Sequence, residues 1–210
     1  MYLITSFNDA ADDLTKITGR KWICIEQAAD NDFFEFIPSD KRLIDFSSYG
    51  RKDSNLHEAV KGFCLGNGLY YDYTTHDAKH PIVEAEELYQ QYIWHLKHSL
   101  FTISLPVELT NPKRAMHLNP ITCRWFEAAA AGTIIVGRKP DNKNFDNQMC
   151  KNLVTEINLE YGNRHIYTQL EEIWKNRLAL HEKAKDIVIT NSFRWTWKNR
   201  VNTILNDILS

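Results

Sequence analysis

Apolar positions along the chain follow two periods in turn. Short apolar runs with strand character alternate with stretches whose apolar residues recur every three or four positions. Phe7 to Ile17 predicts a short polar helix that stops at Gly19, and Lys21 to Ile25 a short strand. Ala28 to Asp40 has no clear period and reads as a connector. Arg42 to Ser47 predicts a strand, with a turn at Tyr49-Gly50-Arg51. Asp53 or Ser54 can cap the next helix, whose Leu56, Val60, Phe63 and Cys64 share one face before Gly66-Asn67-Gly68 ends it. Leu69 to Tyr73 predicts a strand, Glu84 to His98 a helix and Leu100 to Pro106 a strand. Pro120 to Ala131 predicts a helix stopped by Gly132, followed by a strand from Thr133 to Val136. Asn152 to Glu156 suits a short strand, Leu170 to Lys183 a helix and Trp195 to Leu209 a last helix.

Strands alternating with helices predict an α/β fold, a Rossmann-like parallel sheet flanked by helices. Such sheets bind ligands beyond the carboxyl ends of their strands. The chemistry is therefore expected in the strand-to-helix loops.

Composition narrows the class. The 210 residues carry 25 basic and 27 acidic side chains, a net charge of -2, which argues against a polybasic nucleic-acid or membrane binder. Twelve per cent aromatic residues exclude a disordered chain. The longest small-apolar run, Ala128 to Gly137, is too short for a transmembrane segment. The N-terminal residues lack the basic stretch of a signal peptide, so a cytoplasmic protein is expected, or one peripheral at the inner face of a membrane. Cys24, Cys64, Cys123 and Cys150 are widely spaced and read as buried, reduced thiols. His76 with His80, and His95 with His98, do not make ligand spacing, so no metal is expected. Trp94, Trp174 and Trp197 read as core.

The most informative segment is Asn119 to Gly137. Asn119 suits an N-cap and Pro120 a first helical position, with Ile121 and Thr122 completing the turn. A helix starting here offers free amides and a partial positive charge to a phosphate, and Arg124 lies one turn in. Glu127 follows, where an exposed carboxylate could accept from the two vicinal hydroxyls of a ribose. The same i, i+3 spacing also suits a surface ion pair. Two further loops qualify. Gly50-Arg51 follows a strand, as a turn with a basic group. Ser104 ends another, followed by a long polar loop bearing Lys113 and Arg114.

Arg124-Trp125-Phe126-Glu127-Ala128, with Ala130 and Gly132 beyond it, resembles the donor-site signature of GT-B fold glycosyltransferases. The spore-maturation-protein-like branch of the group 1 enzymes is the nearer match. The run Asn191 to Val201 is similar to that branch's last motif, with Asn191 replacing a histidine. The resemblance covers roughly Arg42 to Leu209. It implies that residues 41–210 are the C-terminal donor-binding half. Residues 1–40 would be a remnant of the N-terminal half and its crossover.

The resemblance implies a transferase that moves sugar from a nucleoside-diphosphate sugar to a hydroxyl of a glycan or other acceptor, in bacterial surface-glycan synthesis. Arg51, Arg124 and Asn119 to Thr122 would meet the diphosphate, and Glu127 the ribose; Gly50 and Ser104 complete the donor-binding set. No cofactor or metal is implied. A second domain or chain would supply the acceptor half. Two departures stand out: Asn119 replaces a glutamate, and Leu56 a lysine, whose role would fall to Lys52. A non-catalytic nucleotide-binding or interaction module and a nucleotide-sugar epimerase remain as alternatives.

Overall fold

The computed structural model describes residues 3–6, 8–74, 85–115, 119–149 and 153–208. His76, His80 and Cys150 lie outside the described residues. Strand β1 (Leu3–Thr5), helix α1 (Asn8–Thr18) and strand β2 (Trp22–Cys24) form a small parallel βαβ unit, in which Leu3, Ile4 and Thr5 register with Trp22, Ile23 and Cys24. The sequence pattern missed β1, whose three residues are too few to show a period. The connector folds into two 3₁₀ turns, Asn31–Phe33 and Ser39–Lys41, and drives Phe33 into the core.

The main sheet follows: β3 (Ile44–Ser48), α2 (Ser54–Asn67), β4 (Tyr71–Tyr73), α3 (Ala85–Lys97) and β5 (Ser99–Ser104). The polar loop expected after β5 instead holds two short helices, α4 (Val107–Thr110) and α5 (Pro112–Ala115). Next come α6 (Cys123–Ala130), β6 (Ile134–Gly137), α7 (Phe145–Met149) and β7 (Val154–Glu156). Helices α8 (Gly162–Lys175), α9 (Arg177–Asn191) and α10 (Trp197–Ile208) close the chain. The single helix expected from Leu170 to Lys183 is thus two, broken at Asn176, whose amide and side chain both donate to the Glu172 carbonyl.

All five strands of the main sheet are parallel, in the order β4-β3-β5-β6-β7. The central strands are buried on both faces, as parallel strands between helices must be. Phe46 and Phe101 stack with ring centroids 4.8 Å apart. On α2, Leu56, Ala59, Val60, Phe63 and Cys64 pack inward. Asp53 caps this helix by accepting from the Leu56 amide at 2.9 Å, and Gly68 ends it at φ +66°.

Arg42 is structural. Its guanidinium donates to the carbonyls of Ile37 (2.9 Å), Ser99 (2.5 Å) and Ala131 (2.9 Å) and to the Thr133 hydroxyl (3.0 Å). Burial lowers its pKa to about 9. Trp94 and Trp197, expected in the core, are 46% exposed, whereas Trp174 packs against it. Cys64 is buried, while Cys24 and Cys123 are half-buried; all three are free thiols.

Candidate functional site

From β3 the chain runs to β4 on one side, and β5 lies on the other. Ligands of open parallel sheets sit beyond the carboxyl ends at such a reversal. Ser48 ends β3, Ser104 ends β5, and a cavity of about 220 Å³ opens at that point. Arg51 reaches it from the β3–α2 loop. Ser104 and Leu105 come from the end of β5, Val107 and Thr110 from α4, and Thr122 to Trp125 from the start of α6. Gln27 enters from the connector. Among the described residues the lining has two arginines and no carboxylate, so it suits an anion.

Helix α6 points its N-terminus at this cavity. It begins at Cys123 rather than Pro120, so Asn119 is not its cap. Two contacts shift the start. Ile121 is fully buried, and the Asn119 carbonyl accepts from Asn142 Nδ2 at 2.7 Å, which ties the segment down before the helix. Thr122 holds the cap position in extended backbone without capping through its side chain. The first-turn amides keep their partial positive charge toward the cavity.

Arg124 lies directly over Gly50. A Cβ built on Gly50, at φ +83°, would lie 2.0 Å from Arg124 Nη2. The loop therefore needs glycine for its backbone and for the guanidinium above it. Gly137 has a similar part at the next strand, where a Cβ would lie 1.9 Å from the Ser104 carbonyl oxygen.

The structure thus gathers Arg51, Ser104, Thr122 and Arg124 around one cavity, with Gly50 beneath Arg124. Asn119, Pro120 and Ile121 support the turn without lining it. Glu127 is not the exposed helical residue expected: it retains 9% of its surface. Tyr92 Oη donates to its Oε2 at 2.8 Å. Burial raises the Glu127 pKa, against the lowering by Tyr92, the Cys123 thiol and Arg124. Burial and Glu127 in turn raise the Cys123 thiol to about 11, so it is no ready nucleophile. Lys52 turns away from the cavity. It donates to the Thr74 carbonyl, and its Nζ sits 4.8 Å from the Tyr73 ring centroid, so it does not replace the lysine that Leu56 displaces. Lys113 is exposed on α5, and the side chain of Arg114 lies outside the described ones.

Sequence reasoning missed Gln27, which sits in a segment without period. Arg200 of α10 fixes it, donating to the Gln27 carbonyl at 3.3 and 3.2 Å and to Gln148 Oε1 at 3.2 Å. The C-terminal run that resembles the family motif is thereby anchored beside the cavity. Among the described residues, no group of three or more His, Cys, Asp or Glu could hold a metal. Nor is any helix there long and apolar enough to cross a membrane.

No protein-family model matches the chain, and no curated protein matches it. Solved structures do. A sucrose-phosphate synthase of Thermosynechococcus elongatus superposes with a TM-score of 0.56 at 11% identity, over 97% of this chain. A glycosyltransferase of Rickettsia africae superposes with a TM-score of 0.55 at 12% identity, also over 97%. The fold is the one these two proteins share with this chain. At these identities the likeness is one of fold, and the five-stranded sheet is that of a Rossmann-like GT-B half. The chain spans 56% and 62% of the lengths of those two proteins. The cavity lies at the strand reversal, where open α/β sheets take their ligands.

Proposed function

We propose that this chain binds a nucleoside-diphosphate sugar and acts as the donor-binding half of a glycosyltransferase. The observation that carries this reading is the pairing of Arg51 with Arg124 at the N-terminus of α6, in a cavity whose described lining holds no carboxylate. In the proposed transfer, the acceptor hydroxyl attacks the anomeric carbon and the bond to the diphosphate oxygen breaks. The electron pair leaves on the diphosphate. The two guanidinia and the first-turn amides stabilise that charge as it develops. The proton of the acceptor goes to a base outside this cavity. Glu127 would hold the ribose, exchanging its bond from Tyr92 for bonds from sugar hydroxyls.

At about 220 Å³ the cavity seats part of a nucleotide, below the range of about 300–1,000 Å³ for drug-sized ligands. A second α/β half, in the same polypeptide or another, would complete it. The βαβ unit offers a seat for that half: its parallel strands have no buried residue, and Ile4 and Ile17 are exposed beside it. Parallel sheets are otherwise covered on both faces. A second reading, a nucleotide-binding module without catalysis, is favoured by Leu56 in the core and by Lys52 on the Thr74 carbonyl.

The test is a thermal-shift screen with UDP, GDP, CDP and ADP, in wild type and in Arg51→Ala. A ligand that binds only the folded state raises the melting temperature. A rise with one diphosphate, lost in Arg51→Ala, is the expected result; no rise with any of the four contradicts the reading.

A further inference from the structure

Helix α10 carries an apolar stripe that the fold leaves half bare. Thr196 Oγ1 accepts from the Asn199 amide at 3.1 Å and fixes where the helix starts. Trp197, Val201 and Leu205 then recur every four residues, so they share one face. Phe193, four residues before Trp197, lies in the 3₁₀ turn Ser192–Trp195 that leads into the helix. These four large side chains stay 46–64% exposed. Another side of α10 is occupied. Arg200 is buried there, its guanidinium carbon 5.4 Å from the Phe126 ring centroid and its nitrogens bonded to the Gln27 carbonyl. The stripe therefore faces outward.

Charge follows the same segment. The twenty residues from Ile187 to Asn206 contain no Asp or Glu, while Arg194, Lys198 and Arg200 are basic. The other 190 residues hold all 27 acidic side chains against 22 basic ones. A chain of net charge -2 thus has one segment whose sign is opposite to the rest. Lys198 is exposed next to Trp197. Arg194 follows Phe193 and donates to the Asn147 carbonyl at 2.8 Å. Basic side chains beside a face of Trp, Phe and Leu are the pattern of a helix that lies in a bilayer interface. Tryptophan suits the headgroup level, and lysine reaches from an apolar edge to lipid phosphate. At 1.5 Å per residue the twelve residues of α10 span about 18 Å, enough to lie in that plane and too few to cross it.

We propose that α10 docks this protein on an anionic phospholipid surface. Phe193, Trp197, Val201 and Leu205 enter the acyl boundary, and Arg194 and Lys198 meet lipid phosphates. The acid-bearing remainder of the chain is held off the lipid by its own charge. Docking of this kind rests on a local stripe and its two cations, so the small net charge of the whole chain does not oppose it. The proposal does not depend on the nucleotide-sugar reading. One link joins the two: Arg200, on the buried side of the same helix, holds Gln27 at the anion cavity.

The test is co-sedimentation with vesicles of equal parts phosphatidylcholine and phosphatidylglycerol, and with vesicles of phosphatidylcholine alone. Wild type, Trp197→Ser, Lys198→Gln and Trp94→Ser are compared. All three positions are exposed, so the variants keep the fold, which circular dichroism checks. Trp94 is the control, exposed to the same 46% as Trp197 but on α3. The expected result is binding to the anionic vesicles and at least about tenfold weaker binding to the neutral ones. On anionic vesicles Trp197→Ser weakens binding about tenfold, Lys198→Gln about fivefold, and Trp94→Ser leaves it unchanged. No binding to anionic vesicles overturns the proposal, as does equal binding to both vesicle types. Binding that Trp197→Ser leaves unchanged, or that Trp94→Ser weakens as much, overturns it too. Light scattering without lipid tests the other occupant: a dimer that Trp197→Ser dissolves would assign the stripe to a second copy of the chain and overturn the proposal.

Discussion

Replacing Gly50 with alanine is expected to damage anion binding far more than the fold. The new Cβ would lie 2.0 Å from Arg124 Nη2, 2.5 Å from its Cζ and 2.6 Å from its Nη1. Two costs follow. The left-handed backbone at φ +83° costs a non-glycine residue about 1–2 kcal/mol. The steric clash falls on the end of a flexible side chain, so Arg124 relieves it by swinging away. That swing removes a charge-assisted bond to the ligand, about 1.5–3 kcal/mol, or about 10- to 150-fold in Kd. Gly68→Ala is the control: its φ is +66°, but nothing lies within 4 Å of its built Cβ. It carries the backbone cost alone. Urea denaturation gives the stability change and calorimetry the affinity for a nucleoside diphosphate. The reasoning fails if Gly50→Ala loses stability as Gly68→Ala does and binds the diphosphate within about twofold of wild type.

Three further outcomes follow from the same contacts. Arg42→Leu leaves the carbonyls of Ile37, Ser99 and Ala131 without their donor and is expected to cost about 3 kcal/mol or more in chemical denaturation. His181 is buried against Phe36, and burial together with nearby Arg42 lowers its pKa to about 4. The unfolded imidazole takes up its proton near pH 6.5, so stability is full above that pH and falls as the pH drops toward 4. The total is on the order of 3 kcal/mol. In His181→Leu this part of the pH dependence is expected to vanish, as measured by stability at pH 7 and pH 4.5. Glu127→Ala leaves the Tyr92 hydroxyl without an acceptor and should lose about 1–3 kcal/mol of stability. Glu127→Gln keeps an acceptor and should cost less, while both weaken binding of the nucleoside part in calorimetry.

Much of the sheet was legible because its central strands are apolar runs. Thr133 to Val136 and Leu100 to Pro106 read as strands for the reason that buries them, contact with helices on both faces. The start of α6 was not legible. Asn119-Pro120 has the residue types of a helix start, but Ile121 goes to the core and Asn142 holds the Asn119 carbonyl, contacts made at a distance. The break at Asn176 has no proline or glycine to mark it, and the apolar period runs on from Leu170 and Ile173 to Leu180 and Ala184. Periodicity also could not tell Trp94 and Trp197 from core residues, since it finds an apolar face without finding its partner. In the candidate site, the strand-to-helix position of Arg51 and the early helical position of Arg124 set both near the cavity, while a binding role for Arg51 came from the resemblance alone. Gln27 and the Tyr92 bond to Glu127 depend on tertiary contacts alone.

The central claim is that Arg51 and Arg124 hold the diphosphate of a nucleotide at the β3–β5 crossover. It is tested most directly by calorimetric titration of wild type and Arg124→Ala with one nucleoside diphosphate and with the matching nucleoside. The account predicts that Arg124→Ala weakens the diphosphate by about tenfold or more and leaves the nucleoside nearly unchanged. Equal weakening of both ligands, or undiminished diphosphate binding, would contradict it.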